Sequence, residues 1–263
     1  MSFKNKVVWI TGASSGIGEA LVYAFDNKGA NIIISARREN ELVRVKNNCE
    51  NSNNIIVQPL DLENHDSIED ITQSVITKVG EIDILINNGG ISQRSLAKDT
   101  SMDVDKKIMN VNYFGTIALT KAVLPDMLRN KTGHIVVISS VTGKIGVPLR
   151  SAYAASKHAL HGFFDTLRAE THNENIYVSI ICPGFIRTNV SLNALNADGK
   201  AQNIMDEATN QGMEPNVLAE KIIKTIEKKK EEVVFAGKES LGIYLKRFWP
   251  GLFSKMIKKA KVT

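Results

Sequence analysis

With 263 residues, 43% of them apolar and 23% charged, the chain has the composition of a folded α/β domain and not of a disordered or repetitive protein. A net charge of +5 is mild; it bears on solubility and anion affinity rather than fold, and no nucleic-acid partner is expected. Cys49 and Cys182 are far apart and outside any metal-ligand pattern, which argues against a disulfide framework and fits a reducing, cytoplasmic compartment.

The sequence enters an apolar run almost at once, at residues 7–10, which leaves no room for a signal peptide. That run reads as a strand covered on both faces. A helix is expected over 16–28, with Ile17, Ala20, Leu21, Ala24 and Phe25 as its buried stripe and Gly29 as its stop. Residues 31–35 read as a second strand, 39–49 as a helix and 55–58 as a third strand. A helix over 66–79 leads to a fourth strand over 82–86. The apolar spacing after Ser101 predicts one long helix through Leu124. Strands follow over 134–138, 176–181 and 232–236, separated by helices over 151–171 and from Pro215, where proline is tolerated at a first helical position. Strands alternating with helices predict a doubly wound α/β Rossmann fold, with a seven-stranded parallel sheet and helices on both faces. No linker divides the chain, so residues 1–237 read as one domain and 238–263 as a tail.

Between the first strand and the first helix lies Thr11-Gly12-Ala13-Ser14-Ser15-Gly16-Ile17-Gly18. Gly12, Gly16 and Gly18 permit a tight turn and a close approach of pyrophosphate to the backbone. Ser14, Ser15 and Ile17 carry the N–H groups at the helix start, where the dipole end is positive. Strand before and helix after favour dinucleotide binding over an ordinary glycine loop.

About twenty residues further on, an acidic residue would meet a free ribose hydroxyl. The sequence there reads Ser35-Ala36-Arg37-Arg38. Guanidinium groups suit a 2′-phosphate, so NADP(H) is expected, with NAD(H) as the alternative. Asp61 and Leu62, after the third strand, are candidates for the adenine amino group. Asn88, Gly89 and Gly90 close the fourth strand with small residues that admit a cofactor.

Tyr153 and Lys157 are four apart at a helix start, so phenol and ammonium project to one side. A cation beside a phenol favours the phenolate and lowers its pKa, which makes the pair a candidate proton donor and acceptor. Alone, the spacing more often marks an exposed helical pair; its place in the alternating series gives it weight.

Together these residues resemble the classical short-chain dehydrogenase/reductase family, from Lys6 to about Ala236. The matching elements are the turn from Thr11 to Gly18, the segment from Asn87 to Gly90, Asn112, Ser140, Tyr153, Lys157 and Pro183-Gly184. Three further stretches resemble the animal branch of dehydrogenase/reductase member 7B: Asn110 to Gly115, Ser151 to His158, and Asn196 to Gly199. Gly89 stands where the family usually has alanine. That branch commonly carries an N-terminal membrane anchor, which is not expected here.

The resemblance implies roles. Tyr153 would deliver a proton to a carbonyl oxygen, and Lys157 would lower the Tyr153 pKa and bind the nicotinamide ribose. Ser140 would hold the substrate oxygen, and Asn112 a water behind Lys157. Pro183, Gly184 and Ile186 would wall the nicotinamide, and Thr188 would meet its carboxamide. The expected activity is an NADP(H)-dependent oxidoreductase acting on a carbonyl or the matching alcohol, with a hydrophobic or lipid-like substrate. The alternatives are an NAD-dependent alcohol dehydrogenase and a non-catalytic dinucleotide-binding module. Epimerases and dehydratases of the extended family need a longer chain. His134, His158 and His161 form no metal or triad set, so no metal is expected.

Two segments bear on partners. Residues 189–214 should form a helical lid, with Leu192, Leu195, Ile204, Met205 and Met213 as apolar contacts. In the tail, Leu241, Leu245, Phe248, Leu252, Met256 and Ala260 recur at helical spacing, with Trp249, Phe253 and Ile257 beside them. Pro250-Gly251 should kink or split that helix. Lys246, Arg247, Lys255, Lys258, Lys259 and Lys261 give it a basic face. The expectation is that Leu241 to Phe248 packs on the domain while the part after Pro250 touches an anionic membrane surface. A homodimer or homotetramer is expected from the resemblance.

Overall fold

The computed structural model describes residues 3–260. The apolar runs become strands β1 (Val7–Thr11), β2 (Asn31–Ser35), β3 (Ile55–Val57), β4 (Ile84–Asn87), β5 (Gly133–Ile138), β6 (Ile176–Pro183) and β7 (Glu232–Phe235). The helices are α1 (Gly16–Asp26), α2 (Glu39–Asn47), α3 (Ile68–Val79), α4 (Met102–Met109), α5 (Gly115–Asn130), α6 (Ser151–Glu170), α7 (Glu207–Asn210), α8 (Pro215–Glu227), α9 (Leu241–Phe248) and α10 (Pro250–Ile257).

All seven strands pair in parallel, in the order β3-β2-β1-β4-β5-β6-β7. The sheet is a Rossmann-type α/β fold. Successive strand residues point to opposite faces, so each strand feeds two cores. Val8 and Ile10 join the core under α1, α2 and α8, whereas Val7 and Trp9 join the one under α3, α5 and α6. All five residues of β1 are buried, which is why its sequence is uniformly apolar up to Thr11. Fully burying a side chain such as Leu21 or Phe25 contributes roughly 2 kcal/mol, and α1 turns both into its core.

Four expectations are corrected. The long helix after Ser101 is interrupted: between α4 and α5 a π turn spans Asn110–Phe114. The extra residue per turn re-aims Asn112 inward, and π turns of this kind concentrate at functional sites. The helix expected from Asp66 begins with a 3-10 turn, His65–Ser67. The segment 189–214 is not a helical lid, since only Glu207–Asn210 is helical. Its order comes instead from bridges: Leu195 N–H donates to Ser92 O at 2.9 Å and Arg94 N–H to Leu195 O at 2.8 Å.

The fourth correction concerns the tail. Helix splitting at Pro250 is as expected, since α9 ends and α10 begins there. The division between packed and exposed residues, however, runs along both helices and not between them. Ile243, Leu245, Phe253 and Ile257 pack on Val141 and Ile145. Leu241, Tyr244, Phe248, Trp249, Leu252 and Met256 face outward. Leu241 already faces outward in α9, and the break at Trp249 starts α10 in a new phase, so the four-residue spacing does not follow one buried side. Lys261 lies outside the described residues. No helix among the described residues is long and apolar enough to cross a membrane.

Candidate functional site

The strand order reverses between β1 and β4, because the chain passes to opposite sides of β1 in its two halves. Open parallel sheets bind ligands at the carboxyl ends of strands beside such a reversal. A cleft of about 550 Å³ opens there.

The turn after β1 forms its floor. Gly12 has φ +64 and Gly16 φ +59, backbone conformations that favour glycine. A Cβ on Gly18 would lie 2.2 Å from Gly12 O, so only glycine lets the turn close onto α1. Gly18 therefore shapes the turn from behind and does not line the cleft, whereas Gly12, Ser14, Ser15, Gly16 and Ile17 do. Ser15 at the start of α1 makes no side-chain cap, so the first N–H groups of the helix are left for a ligand. Thr11 ties the turn to β4: its Oγ1 accepts from Asn88 N at 3.0 Å and Gly89 N at 2.9 Å.

Arg37 and Arg38 are exposed at the cleft edge beyond β2, and among the described residues no acidic side chain forms a salt bridge with either. Asp61 and Leu62 line the adjoining wall, with Asp61 Oδ1 accepting from Glu63 N at 3.0 Å. Asn88, Gly89 and Gly90 line the middle. The glycine turn, the uncapped helix end and the cleft's length of small residues fit a dinucleotide with its pyrophosphate at α1.

Asn112 sits behind the wall, fully buried. Its Nδ2 donates to Ile91 O at 2.9 Å and Ser156 Oγ at 3.1 Å, and its Oδ1 accepts from Ile91 N at 2.8 Å. The π turn thus joins the loop after β4 to α6.

Ser140 follows β5, and Tyr153 and Lys157 lie one turn apart on α6; all three line the cleft. Burial raises the Tyr153 pKa, against the lowering effects of Arg150, a hydrogen bond from Ser140, and Arg94. Burial also lowers Lys157, to about 8. The Lys157 ammonium donates to Ile138 O at 2.8 Å and lies 5.8 Å from the Tyr153 ring centroid. Pro183, Gly184, Ile186 and Thr188 line the far wall. All the sequence-derived candidates except Gly18 and Asn112 therefore border one cleft.

Of the five expected apolar lid contacts, only Leu195 borders the cleft. Ile204 is 65% exposed, and Met213 packs on the core. The substrate end holds groups that sequence reading missed: Arg94, Arg150 and Phe185. Arg94 and Arg150 both contact Asp206, which lies behind them in the segment over the cleft. Arg150 was legible in principle, three residues before Tyr153. Asp206 is 112 residues from Arg94 in the chain and carries no local signal. His161 Nε2 lies 3.0 Å from Ser139 Oγ, a structural contact, and among the described residues no cluster suited to a metal occurs.

The short chain dehydrogenase family matches over residues 6–198. A Drosophila melanogaster protein named dehydrogenase/reductase SDR family protein 7-like is 46% identical, the alignment covering 98% of this chain and 81% of that one. Dehydrogenase/reductase SDR family member 7B of Bos taurus is 45% identical over 97% of this chain and 81% of its own length. Among solved structures, a Burkholderia phymatum short chain dehydrogenase/reductase in complex with NAD superposes with a TM-score of 0.85, at 21% identity and 96% coverage of both chains. An alcohol dehydrogenase from Thermococcus sibiricus complexed with 5-hydroxy-NADP gives 0.76 at 22% identity, covering 88% of this chain and 96% of that one.

Proposed function

The chain belongs to the short chain dehydrogenase family, and we propose that it reduces a ketone or aldehyde, or oxidises the matching alcohol, with NADP(H). At the coarser level it is an oxidoreductase that acts through a dinucleotide on a small molecule, related to the member 7B branch. The observation that carries the reading is the convergence of Ser140, Tyr153 and Lys157 at one end of a cleft whose floor is the glycine turn.

A nicotinamide dinucleotide bound there supplies or accepts the hydride. The protein's own groups handle the proton. Tyr153 donates its phenolic proton to the carbonyl oxygen and is left as phenolate; alcohol oxidation runs this transfer backward. Ser140 donates a hydrogen bond to the same oxygen and offsets its growing negative charge. Lys157, cationic beside the phenol, stabilises the phenolate and meets the nicotinamide ribose. Asn112 fixes the loop at Ile91 and, through Ser156, the register of α6, and orders the water path behind Lys157.

The NADP(H) preference rests on Arg37 and Arg38, two guanidiniums at the position where an acidic residue would reject a 2′-phosphate. The two solved structures with bound dinucleotide are likenesses of fold and do not choose between NAD and NADP. The substrate is proposed to carry an apolar part against Phe185, Val190 and Leu195, as a lipid-like ketone would. Residues 1–237 form the catalytic domain, 189–214 the cover of the cleft, and 238–263 an accessory tail. The tail's outward apolar residues beside Lys255, Lys258 and Lys259 suit peripheral contact with an anionic membrane surface. A homodimer or homotetramer is part of the same proposal, tested by its mass in solution. Oxidation of NADPH against a panel of ketones and aldehydes tests the activity. Tight NADPH binding with no turnover on any of them would favour a non-catalytic module.

A further inference from the structure

Helix α6 carries Tyr153 in its first turn, yet the chain just ahead of the helix offers that turn no side-chain cap. The first N–H groups of an α-helix have no carbonyl one turn back to receive them. The usual remedy is a Ser, Thr, Asp or Asn immediately before the helix. That place is taken by Arg150, whose side chain holds hydrogen-bond donors only.

The missing acceptor comes from 59 residues upstream, where Gln93 Oε1 accepts from Ala152 N at 2.9 Å. Gln93 is fully buried. Ala152 N can only donate, so the amide is held with its oxygen toward α6. Its Nε2 faces three hydroxyls: Thr100 Oγ1 at 2.8 Å, Ser95 Oγ at 3.1 Å and Ser151 Oγ at 3.2 Å. Thr100 Oγ1 is fixed in turn, donating to Leu96 O at 2.8 Å and lying 2.7 Å from Ser95 Oγ. A buried amide is costly unless both its ends are satisfied, and here both are.

The backbone around Gln93 is anchored as well. Leu195 N donates to Ser92 O at 2.9 Å, Arg94 N to Leu195 O at 2.8 Å, and Ser95 N to Leu149 O at 3.2 Å. The loop after β4 therefore grips both the segment over the cleft and the approach to α6. Gln93 is the point at which that grip reaches the helix, one residue before Tyr153. Asn112 braces the following turn of α6 through Ser156. The glycine turn and α1 are built without either amide.

We propose that Gln93 is a positioning residue for proton transfer: by capping α6 at Ala152 from the loop after β4, it fixes where the Tyr153 hydroxyl stands in the cleft relative to Ser140. A serine before the helix would cap it equally well but would leave the helix start unattached to the cleft wall. Misplacing a reacting group by about 1 Å can cost on the order of 10²-fold in rate.

The inference rests on Tyr153 being the proton donor, and its test is chosen to separate the two. Gln93→Met fills similar space and removes both ends of the amide. Its kcat on a reducible ketone should fall roughly ten- to a hundredfold, while NADPH affinity stays within about twofold. The Ala152 amide should exchange faster with deuterium. Gln93→Glu keeps an oxygen for Ala152 N at a helix end that favours negative charge. Ser95 or Ser151 can turn a hydroxyl hydrogen toward it, so this variant should recover most of the lost kcat. A glutamine that merely fills the loop would lower thermal stability in Gln93→Met and leave kcat of the folded protein unchanged, or both variants would lose kcat alike; either result overturns the proposal. Should Gln93→Met fail to fold, Gln93→Asn, one carbon shorter and out of reach of Ala152 N, carries the same expectation, and parental kcat in it overturns the proposal. Tyr153→Phe is assayed alongside. Loss of turnover in Tyr153→Phe but not in Gln93→Met overturns this inference alone. Full turnover in Tyr153→Phe overturns the proposed function first, and the inference with it.

Discussion

Asn112 and Ile91 exchange two hydrogen bonds, side-chain amide against backbone amide, at 2.8 and 2.9 Å. The pair completes a backbone edge that the loop after β4 cannot satisfy by itself, and it does so only because the π turn over Asn110–Phe114 aims Asn112 inward. Asn112→Ala leaves the N–H and C=O of the half-buried Ile91 without this partner. Unfolding free energy should drop by about 2 kcal/mol, read by urea denaturation. Turnover should fall more than NADPH binding, because the disturbed register lies at Ser156 and Lys157. Unchanged stability would mean that water replaces the amide at no cost.

His134 offers a test of burial, with a neighbouring cation adding to it. Its Nε2 lies 2.8 Å from Ser179 Oγ, and burial, then Lys229, lowers its pKa from 6.5 to about 4. Between those values the unfolded chain binds a proton that the folded chain refuses. The contribution to stability is therefore complete above pH 6.5 and is lost as pH falls toward 4, with a slope of about 1.4 kcal/mol per pH unit at most. The stability of His134→Gln should fall less steeply over that window. Parallel curves for the two proteins would show that the imidazole is not the group responsible.

Cofactor choice is read at Arg37. Arg37→Asp places like charge against a 2′-phosphate and should shift preference from NADPH toward NADH by one to two orders of magnitude, roughly 1–3 kcal/mol. Titration by cofactor fluorescence reads both affinities. Tighter binding of NADH than NADPH by the unmodified protein would remove the basis of the assignment.

For the tail, the exposed apolar face decides the experiment. Truncation after Pro250 would strip Phe253, 8% exposed, from Val141 and Ile145, and so would damage the domain. Trp249→Ser with Leu252→Ser alters only outward residues, 61% and 56% exposed. This variant should keep NADPH oxidation and lose sedimentation with phosphatidylserine vesicles. Equal sedimentation of both proteins would rule out the membrane contact.

The seven strands and most of the cleft were legible because they follow from local signals. Uniform apolar runs such as residues 7–10 can only be covered strands, and a glycine turn between strand and helix has few uses. The long helix after Ser101 was misread because a π turn preserves apolar spacing closely enough to pass for α. The lid was misread because its order comes from bridges to Ser92 and Arg94, which are distant in sequence. Asp206 was invisible for the same reason, since a buried carboxylate and a solvated one look alike until their partners are known. The tail's split was visible in Pro250, but the change of helix phase across it was not.

Removal of one oxygen tests the central claim most directly. Tyr153→Phe deletes the phenolic hydroxyl and keeps the ring, so the cleft and the glycine turn are undisturbed. Measured side by side, NADPH affinity should stay within about twofold, while kcat on a reducible ketone should fall by at least 10³, about 4 kcal/mol in the barrier. A variant that binds NADPH normally and still reduces the ketone at a rate close to that of the parent would contradict the account.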